Sequence, residues 1–173
     1  MELFVPDAYQ QNIYTISYDK LKERGIHCIL FDLDNTLVPA DQDKPTKETQ
    51  QLFQELKKKG FQLILFSNSG PRRLGPFKEL LEVDCCASAM KPLKRNYLKV
   101  LKKYGLQKHE VAIVGDQLMT DVLGGNSVGI TTILVNPISH KDIIFTKLNR
   151  RMERHIYKRL EKRGLLKRGR FYE

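Results

Sequence analysis

The chain has 173 residues, 41% of them hydrophobic, 29% charged and 9% aromatic, with 11 Gly and 7 Pro. That length suits about one domain with a sizeable core, and the composition excludes a collagen, a disulfide-held miniprotein and a wholly disordered tail. The net charge of +10 is unevenly spread: residues 147–173 carry 11 Lys or Arg against 3 Asp or Glu, and residues 1–146 carry 19 against 17. Two parts are therefore expected, a near-neutral globular body over 1–146 and a basic amphipathic arm over 147–173.

Residues 1–25 are amphipathic but not diagnostic, and they open Met-Glu-Leu-Phe-Val-Pro, with no basic or apolar leader pattern. The first strand is expected at Ile26–Phe31 and a helix over Pro45–Gly60, with Leu52, Phe53 and Leu56 at helical spacing. Phe61–Phe66 reads as the second strand, Arg73–Leu81 as a helix and Val83–Ala87 as a short strand. Pro92 opens a helix carrying Tyr97, Leu98, Leu101 and Tyr104, which stops at Gly105. Val111–Val114 is a strand ending in Gly115-Asp116, a helix follows around Thr120–Gly124, and Thr131–Val135 is the last strand. Such alternation predicts an α/β fold, a mainly parallel sheet with helices on both faces, whose ligands bind at the carboxyl ends of the strands. No apolar run approaches the roughly 18 residues of a membrane span.

Polar residues gather at three predicted strand ends: Asp32-Leu-Asp34-Asn35-Thr36, Ser67-Asn68, and Gly115-Asp116 with Asp121 beyond. Several carboxylates in one crevice call for a neutralising cation, and hard oxygen donors with room for water suit Mg²⁺. Asp32 and Asp34 are two apart, so an extended chain projects both to one side and they can divide nucleophile and proton-transfer roles.

Phe31-Asp32-Leu33-Asp34-Asn35-Thr36-Leu37 resembles motif I of the haloacid dehalogenase (HAD) superfamily phosphatases. Phe66-Ser67-Asn68 resembles motif II, Lys91-Pro92 the motif III lysine, and Gly115-Asp116 to Asp121 motif IV. Val5-Pro6-Asp7 and Asp121-Val-Leu-Gly-Gly-Asn126 narrow the likeness to the YqeG family (subclass III, capless), which includes phosphatidylglycerophosphate phosphatases. The resemblance implies a Rossmann-like HAD fold and an aspartyl-phosphate mechanism. Asp32 would be the nucleophile and Asp34 the acid and base. Asp32, Asp34 (through its carbonyl) and Asp116 would bind Mg²⁺. Ser67, Asn68 and Lys91 would form the phosphate site, with Ser67 and Lys91 on the phosphoryl oxygens and Asn68 supporting its turn. Thr36 and Asp121 would stand behind these residues, Asp121 orienting Lys91 or a metal-bound water. Only 32 residues lie between Asp34 and Ser67 and 23 between Ser67 and Lys91, too few for a cap domain. An open site suits a large substrate or a membrane-embedded headgroup, most specifically phosphatidylglycerophosphate, with a soluble metabolite or nucleotide as the alternative.

Other features read more plainly. His27, His109, His140 and His155 lack ligand spacing and are expected to be structural or surface residues. Cys28, Cys85 and Cys86 are expected to be reduced and mostly buried, as in a cytoplasmic protein. Gly124, Gly125 and Gly129 suit tight packing. Arg72-Arg73 is either a solvated helix start or an anion-steering pair. Leu148, Met152, Ile156 and Leu160 form a stripe among Arg150, Arg151, Arg154, Lys158 and Arg159. The arm then packs on the body, lies on the inner face of an anionic membrane through 147–170, or binds RNA as a ribosome-associated protein would. Lys167–Arg170 reads as a frayed end.

Overall fold

The computed structural model describes the backbone of residues 1–139 and 144–173 and the side chains of 1–139 and 152–173. His140 and the side chains of Leu148, Arg150 and Arg151 lie outside the described residues. Six strands, β1 Ala8–Gln10, β2 Cys28–Phe31, β3 Gln62–Phe66, β4 Asp84–Cys86, β5 Val111–Gly115 and β6 Thr131–Val135, form one sheet. Its order is β1-β6-β5-β2-β3-β4, every neighbouring pair parallel. Helices α1 Tyr18–Glu23, α2 Lys47–Lys58, α3 Pro71–Leu81, α4 Lys94–Tyr104, α5 Leu123–Val128 and α6 Ile144–Lys162 surround it. This is a Rossmann-like α/β fold, a parallel sheet with helices around it, as expected. Asp34 to Ser67 holds a loop, α2 and β3, and Ser67 to Lys91 holds α3 and β4, with no cap domain between them.

Alternation along each central strand explains why both faces are covered. Ile29, Phe31, Leu63, Leu65, Ala112 and Val114 enter one apolar cluster. Cys28, Leu30, Ile64, Phe66, Val111 and Ile113 enter the other. Each large side chain so buried contributes about 1.5–3 kcal/mol, and the run of buried positions is what a doubly covered parallel strand requires.

From β2 the chain moves outward to β3 and β4, then crosses back to β5, so the direction reverses between β2 and β5. Phe31 pairs with both Leu65 and Val114, which brings the exits of β2, β3 and β5 level. Asp32, Ser67 and Asp116 follow these exits directly, at the switch point where open parallel sheets bind ligands.

The strand expected within each predicted window forms, and β1 is additional. Three residues long, β1 pairs with β6 on one side, and Tyr9 and Tyr172 exchange backbone hydrogen bonds (2.8 and 2.9 Å) on the other. Lys167–Arg170 is thus held, not frayed: the Gly169 N–H donates to the Tyr9 hydroxyl at 3.4 Å and the Arg170 N–H to the Lys167 carbonyl at 3.1 Å. Beyond them the Tyr172 hydroxyl donates to the Pro6 carbonyl at 2.9 Å, Phe171 packs edge-on against Tyr9, and Glu173 meets Lys20 and Ser17. On α6 the buried line also differs from the expected stripe. Glu153 and Leu160 are buried and Ile156 and Tyr157 partly so, whereas Met152 is exposed. A carboxylate therefore occupies a position where apolar periodicity alone places a methionine.

Candidate active site

The loop after β2 turns sharply. Asn35 adopts φ 63, and the Asn35 N–H donates to the Val38 carbonyl at 2.7 Å while the Leu37 N–H donates to that of Leu33 at 2.9 Å. Asparagine tolerates this left-handed conformation better than most residues. The turn leaves Asp32 buried at the floor and Asp34 partly open at the mouth.

Lys91, brought in by the loop before α4, spans two carboxylates. Its Nζ lies 2.8 Å from Asp32 Oδ1 and 2.6 Å from Asp121 Oδ1, and all three residues are buried. Burial pulls the Lys91 ammonium down, but Asp121 and Asp32 outweigh it and hold the amine above its ordinary range. Burial pushes the Asp32 carboxyl up to about 6, with Lys91 opposing and Asp121 adding to the shift. Asp121 Oδ2 also accepts from the Gln117 N–H (3.2 Å) and the Thr120 hydroxyl (3.3 Å). Close approach depends on Gly115, where an added Cβ would sit 2.1 Å from Asp121 Cγ.

Asp116 accepts a hydrogen bond from Thr36 Oγ1 at 3.1 Å. Carboxylate oxygens of Asp32, Asp116 and Asp121 all lie within 4.8 Å of one another. Among the described residues Lys91 is the one buried cation facing these three buried acids. Carboxylate oxygens gathered this closely repel one another in a low-dielectric site, and a bound cation relieves that repulsion. The donor set is all oxygen, which fits a hard divalent ion.

Asn68 acts as a clip. Its side-chain oxygen accepts from the Lys91 N–H at 2.7 Å, and its amide donates to the Lys91 carbonyl at 3.2 Å, tying the exit of β3 to the lysine loop. Ser67 is buried beside it. Asp34 stands apart from the acidic cluster. Its Oδ2 accepts from Ser69 Oγ at 2.6 Å, and its Oδ1 accepts from Arg73 Nε at 3.1 Å and Nη2 at 2.8 Å. Ser69 is a contact that sequence reasoning missed. Arg73, expected only as half of a basic pair, has a specific partner, whereas Arg72 is exposed. No periodicity signals either contact, since both depend on where the turn after Asp34 points.

The turn Leu118–Val122, a single π-helical turn leading into α5, links this site to the arm. Its apolar residues Leu118 and Val122 pack with Tyr9, Leu134, Leu160 and Leu166, and its Met119 N–H donates to Glu153 Oε1 of α6 at 3.2 Å. Two segments that carry the narrower family likeness also meet: the Asp7 carboxylate accepts from the Thr132 N–H at 2.8 Å, and Asn126 donates to the Val5 carbonyl at 2.9 Å. Gly125 allows this packing, since a Cβ there would meet Thr132 and Ile113 at 2.5 and 2.8 Å. His27, His109 and His155 are exposed, Cys28 is buried, and Cys85 and Cys86 are free and half-buried.

A family model for haloacid dehalogenase-like hydrolases matches residues 18–129. The chain is 39% identical over 163 residues, 94% of its length and 95% of the relative's, to the probable phosphatase YqeG of Bacillus subtilis (strain 168). It is 27% identical over 182 residues to the chloroplastic/mitochondrial phosphatidylglycerophosphate phosphatase 1 of Arabidopsis thaliana, covering 95% of this chain and 50% of that protein. In fold it matches the 3-deoxy-D-manno-octulosonate 8-phosphate phosphatase of Moraxella catarrhalis, solved with magnesium and phosphate, with a TM-score of 0.57 at 15% identity over 72% of this chain and 76% of that one. No helix among the described residues is long and apolar enough to cross a membrane. The relatives and the sheet agree: this chain belongs to the haloacid dehalogenase-like hydrolases and is a phosphatase, a phosphoric monoester hydrolase.

Proposed function

We propose that the protein is a Mg²⁺-dependent phosphomonoester hydrolase that works through an aspartyl-phosphate on Asp32 and takes phosphatidylglycerophosphate as its substrate. The observation that carries the mechanism is the division of labour between two carboxylates two residues apart. Asp32 is buried and bound to Lys91, whereas Asp34 sits at the mouth on neutral and cationic donors.

Asp32 attacks phosphorus, and the bond from phosphorus to the alcohol oxygen breaks. Asp34 gives the leaving oxygen its proton, then takes one from the water that cleaves the acyl phosphate, restoring both carboxylates. Lys91 and the Ser67 hydroxyl bind the phosphoryl oxygens, where negative charge is spread in the transition state. Asp121 holds Lys91 in place, Thr36 orients Asp116, and Asn68 fixes the lysine loop. Asp32, Asp116 and the Asp34 carbonyl would hold Mg²⁺, whose charge would offset the repulsion between an anionic nucleophile and an anionic ester.

The lipid substrate is supported by the likeness to the Arabidopsis enzyme and by the uncapped site. The exposed basic face of α6 and the segment after it, which pack on the body through Leu160 and Leu166, would bring the protein to an anionic membrane from the cytoplasmic side. The test is phosphate release with Mg²⁺ from phosphatidylglycerophosphate in mixed micelles, with an aryl phosphate as control. Turnover of the lipid, reduced on the order of 10³-fold or more in Asp32→Asn, is expected. Efficient turnover of the aryl phosphate alone would move the substrate to soluble esters, and near-normal activity in Asp32→Asn would overturn the mechanism.

A further inference from the structure

Arg73 has no role in that mechanism, yet it is the most heavily engaged side chain at the mouth. It lies in the first turn of α3, with its guanidinium carbon 5.0 Å from the Phe77 ring centroid. Nε and Nη2 both donate to Asp34 Oδ1, while Nη1 donates to the Gln42 carbonyl and reaches Asp43 Oδ1 at 3.5 Å. Phe77 and Gln42 fix the plane of the group, while its side chain keeps 19% of its surface exposed.

Position gives this arrangement its meaning. An acid that protonates the leaving oxygen stands on the leaving-group side of phosphorus, so a cation fixed to Asp34 stands there too. Lys91 is already committed to Asp32 and Asp121 on the opposite, buried side. The site thus holds two cations in two places, one for the transferred phosphoryl group and one for what departs. A planar guanidinium binds phosphate or carboxylate through paired N–H groups. In the resting arrangement Asp34 has both oxygens occupied, by Arg73 and Ser69.

We infer that Arg73 is a specificity-determining residue that recognises a second anionic group, a phosphodiester or a carboxylate, on the leaving alcohol of the substrate. The inference rests on the phosphatase reading with Asp34 as the acid. When the second anion takes up Arg73, Asp34 Oδ1 is released for proton transfer, so the correct leaving group raises kcat as well as affinity. An ester whose alcohol lacks the charge leaves Asp34 held, which is discrimination through a group assembled only by the right substrate.

The experiment compares glycerol phosphate, whose leaving alcohol is neutral, with phosphoglycerate, which adds a carboxylate, and glycerophosphoglycerol phosphate, which adds a phosphodiester. The readout is the ratio of kcat/KM for each charged ester to that for glycerol phosphate. The wild type is expected to favour at least one charged ester by about tenfold or more, and whichever is favoured identifies the anion. Arg73→Ala should collapse that ratio towards one, and Arg73→Lys, a point charge without the fork, should restore only part of it. A ratio near one in the wild type, or an equal fall on all esters in Arg73→Ala, would overturn the proposal. An aryl phosphate hydrolysed in an Asp32-dependent way marks the phosphatase reading as sound whichever result is obtained. Should no ester turn over, calorimetric binding of the same three compounds to Asp32→Asn, with and without Arg73→Ala, decides the matter. Selective loss of the charged ligand would support the role of Arg73, and equal binding of all three would end it.

Discussion

The protein uses the same kind of charge in two opposite ways. Lys91 is buried between Asp32 and Asp121, and its whole environment is built around it. Arg154, Lys158, Arg159, Lys162, Arg163 and Arg168 of α6 and the segment after it are exposed, and among the described residues none of them makes an ion pair. A buried charge has given up its water, so removing its partner leaves an uncompensated ion, whereas an exposed charge keeps its hydration and loses little. In the proposed mechanism the contrast places catalytic weight on one lysine and leaves the abundant basic surface to act at a distance.

The sharpest way to break this contrast is Lys91→Met. It leaves Asp32 and Asp121 buried without the cation they share, and a loss of about 3–5 kcal/mol of stability is expected from breaking a buried pair. Removing transition-state charge stabilisation should lower kcat by about 10²–10³-fold. Lys91 opposes the upward push of burial on Asp32, whose carboxyl lies at about 6. In the proposed mechanism the nucleophile is the ionised form, so without Lys91 the acid limb of the rate should move to higher pH. A kcat–pH profile alongside thermal melting checks both, and an unmoved limb would separate Lys91 from Asp32.

Gly115→Ala should rank second. The added Cβ would lie 2.1–2.6 Å from atoms of Asp121, which belong to a short side chain that is itself hydrogen-bonded and ion-paired. Asp121 must move, and Lys91 with it. A fall in kcat of about 10²-fold is expected, since misplacing a site by an ångström costs that much. Circular dichroism should show the fold retained; full activity would mean that the Asp121–Lys91 contact carries nothing.

How much of this was legible beforehand differs by element. The strands β2, β3 and β5 announce themselves because burial on both faces makes them continuous apolar runs, and each ends in a polar motif. Strand β1 did not, since Ala8-Tyr9-Gln10 is only three residues long and is made a strand by its partners, β6 and Tyr172. The acidic residues at the strand ends could be read from order and spacing alone. The contacts of Asp34 with Ser69 and Arg73 could not, because they join loops 35 and 39 positions apart in sequence. The burial of Glu153 in place of Met152 was hidden for the same reason: among its contacts it accepts from a backbone N–H on a distant turn, and no periodicity records that.

Glu153 gives the next smaller effect. It is buried, and it holds the Met119 N–H of the turn that carries Asp121. Glu153→Ala removes that acceptor, and a loss of about 1–3 kcal/mol is expected for a polar group left unpaired. In a protein of this size the melting temperature should then fall roughly 2–4 °C for each kcal/mol. Glu153→Gln retains a side-chain oxygen and should recover most of the loss. If alanine and glutamine melt alike, the bond to Met119 is not what keeps Glu153 inside.

The smallest effect belongs to the exposed cations, and it asks the most of the comparison. Deleting 147–173 would not isolate them, because Leu160, Leu166 and Tyr172 cover Tyr9, Leu118, Val122 and Leu134, and their loss would uncover the underside of the catalytic turn. Reversing charge at Arg154, Lys158 and Lys162 together leaves that apolar contact in place. Stability should change by no more than about 0.5 kcal/mol per site, and Mg²⁺-dependent turnover of a soluble aryl phosphate should stay within twofold of wild type, a margin set by screening over a Debye length of about 8 Å. On anionic micelles, each basic residue near the surface is worth about 1 kcal/mol, so the same triple variant should need substantially more surface to reach half-maximal rate at low salt. Equal loss on soluble and micellar substrates would mean that the basic face acts on the fold and not on a surface, and the distinction between buried and exposed cations would then fail where it was expected to be clearest.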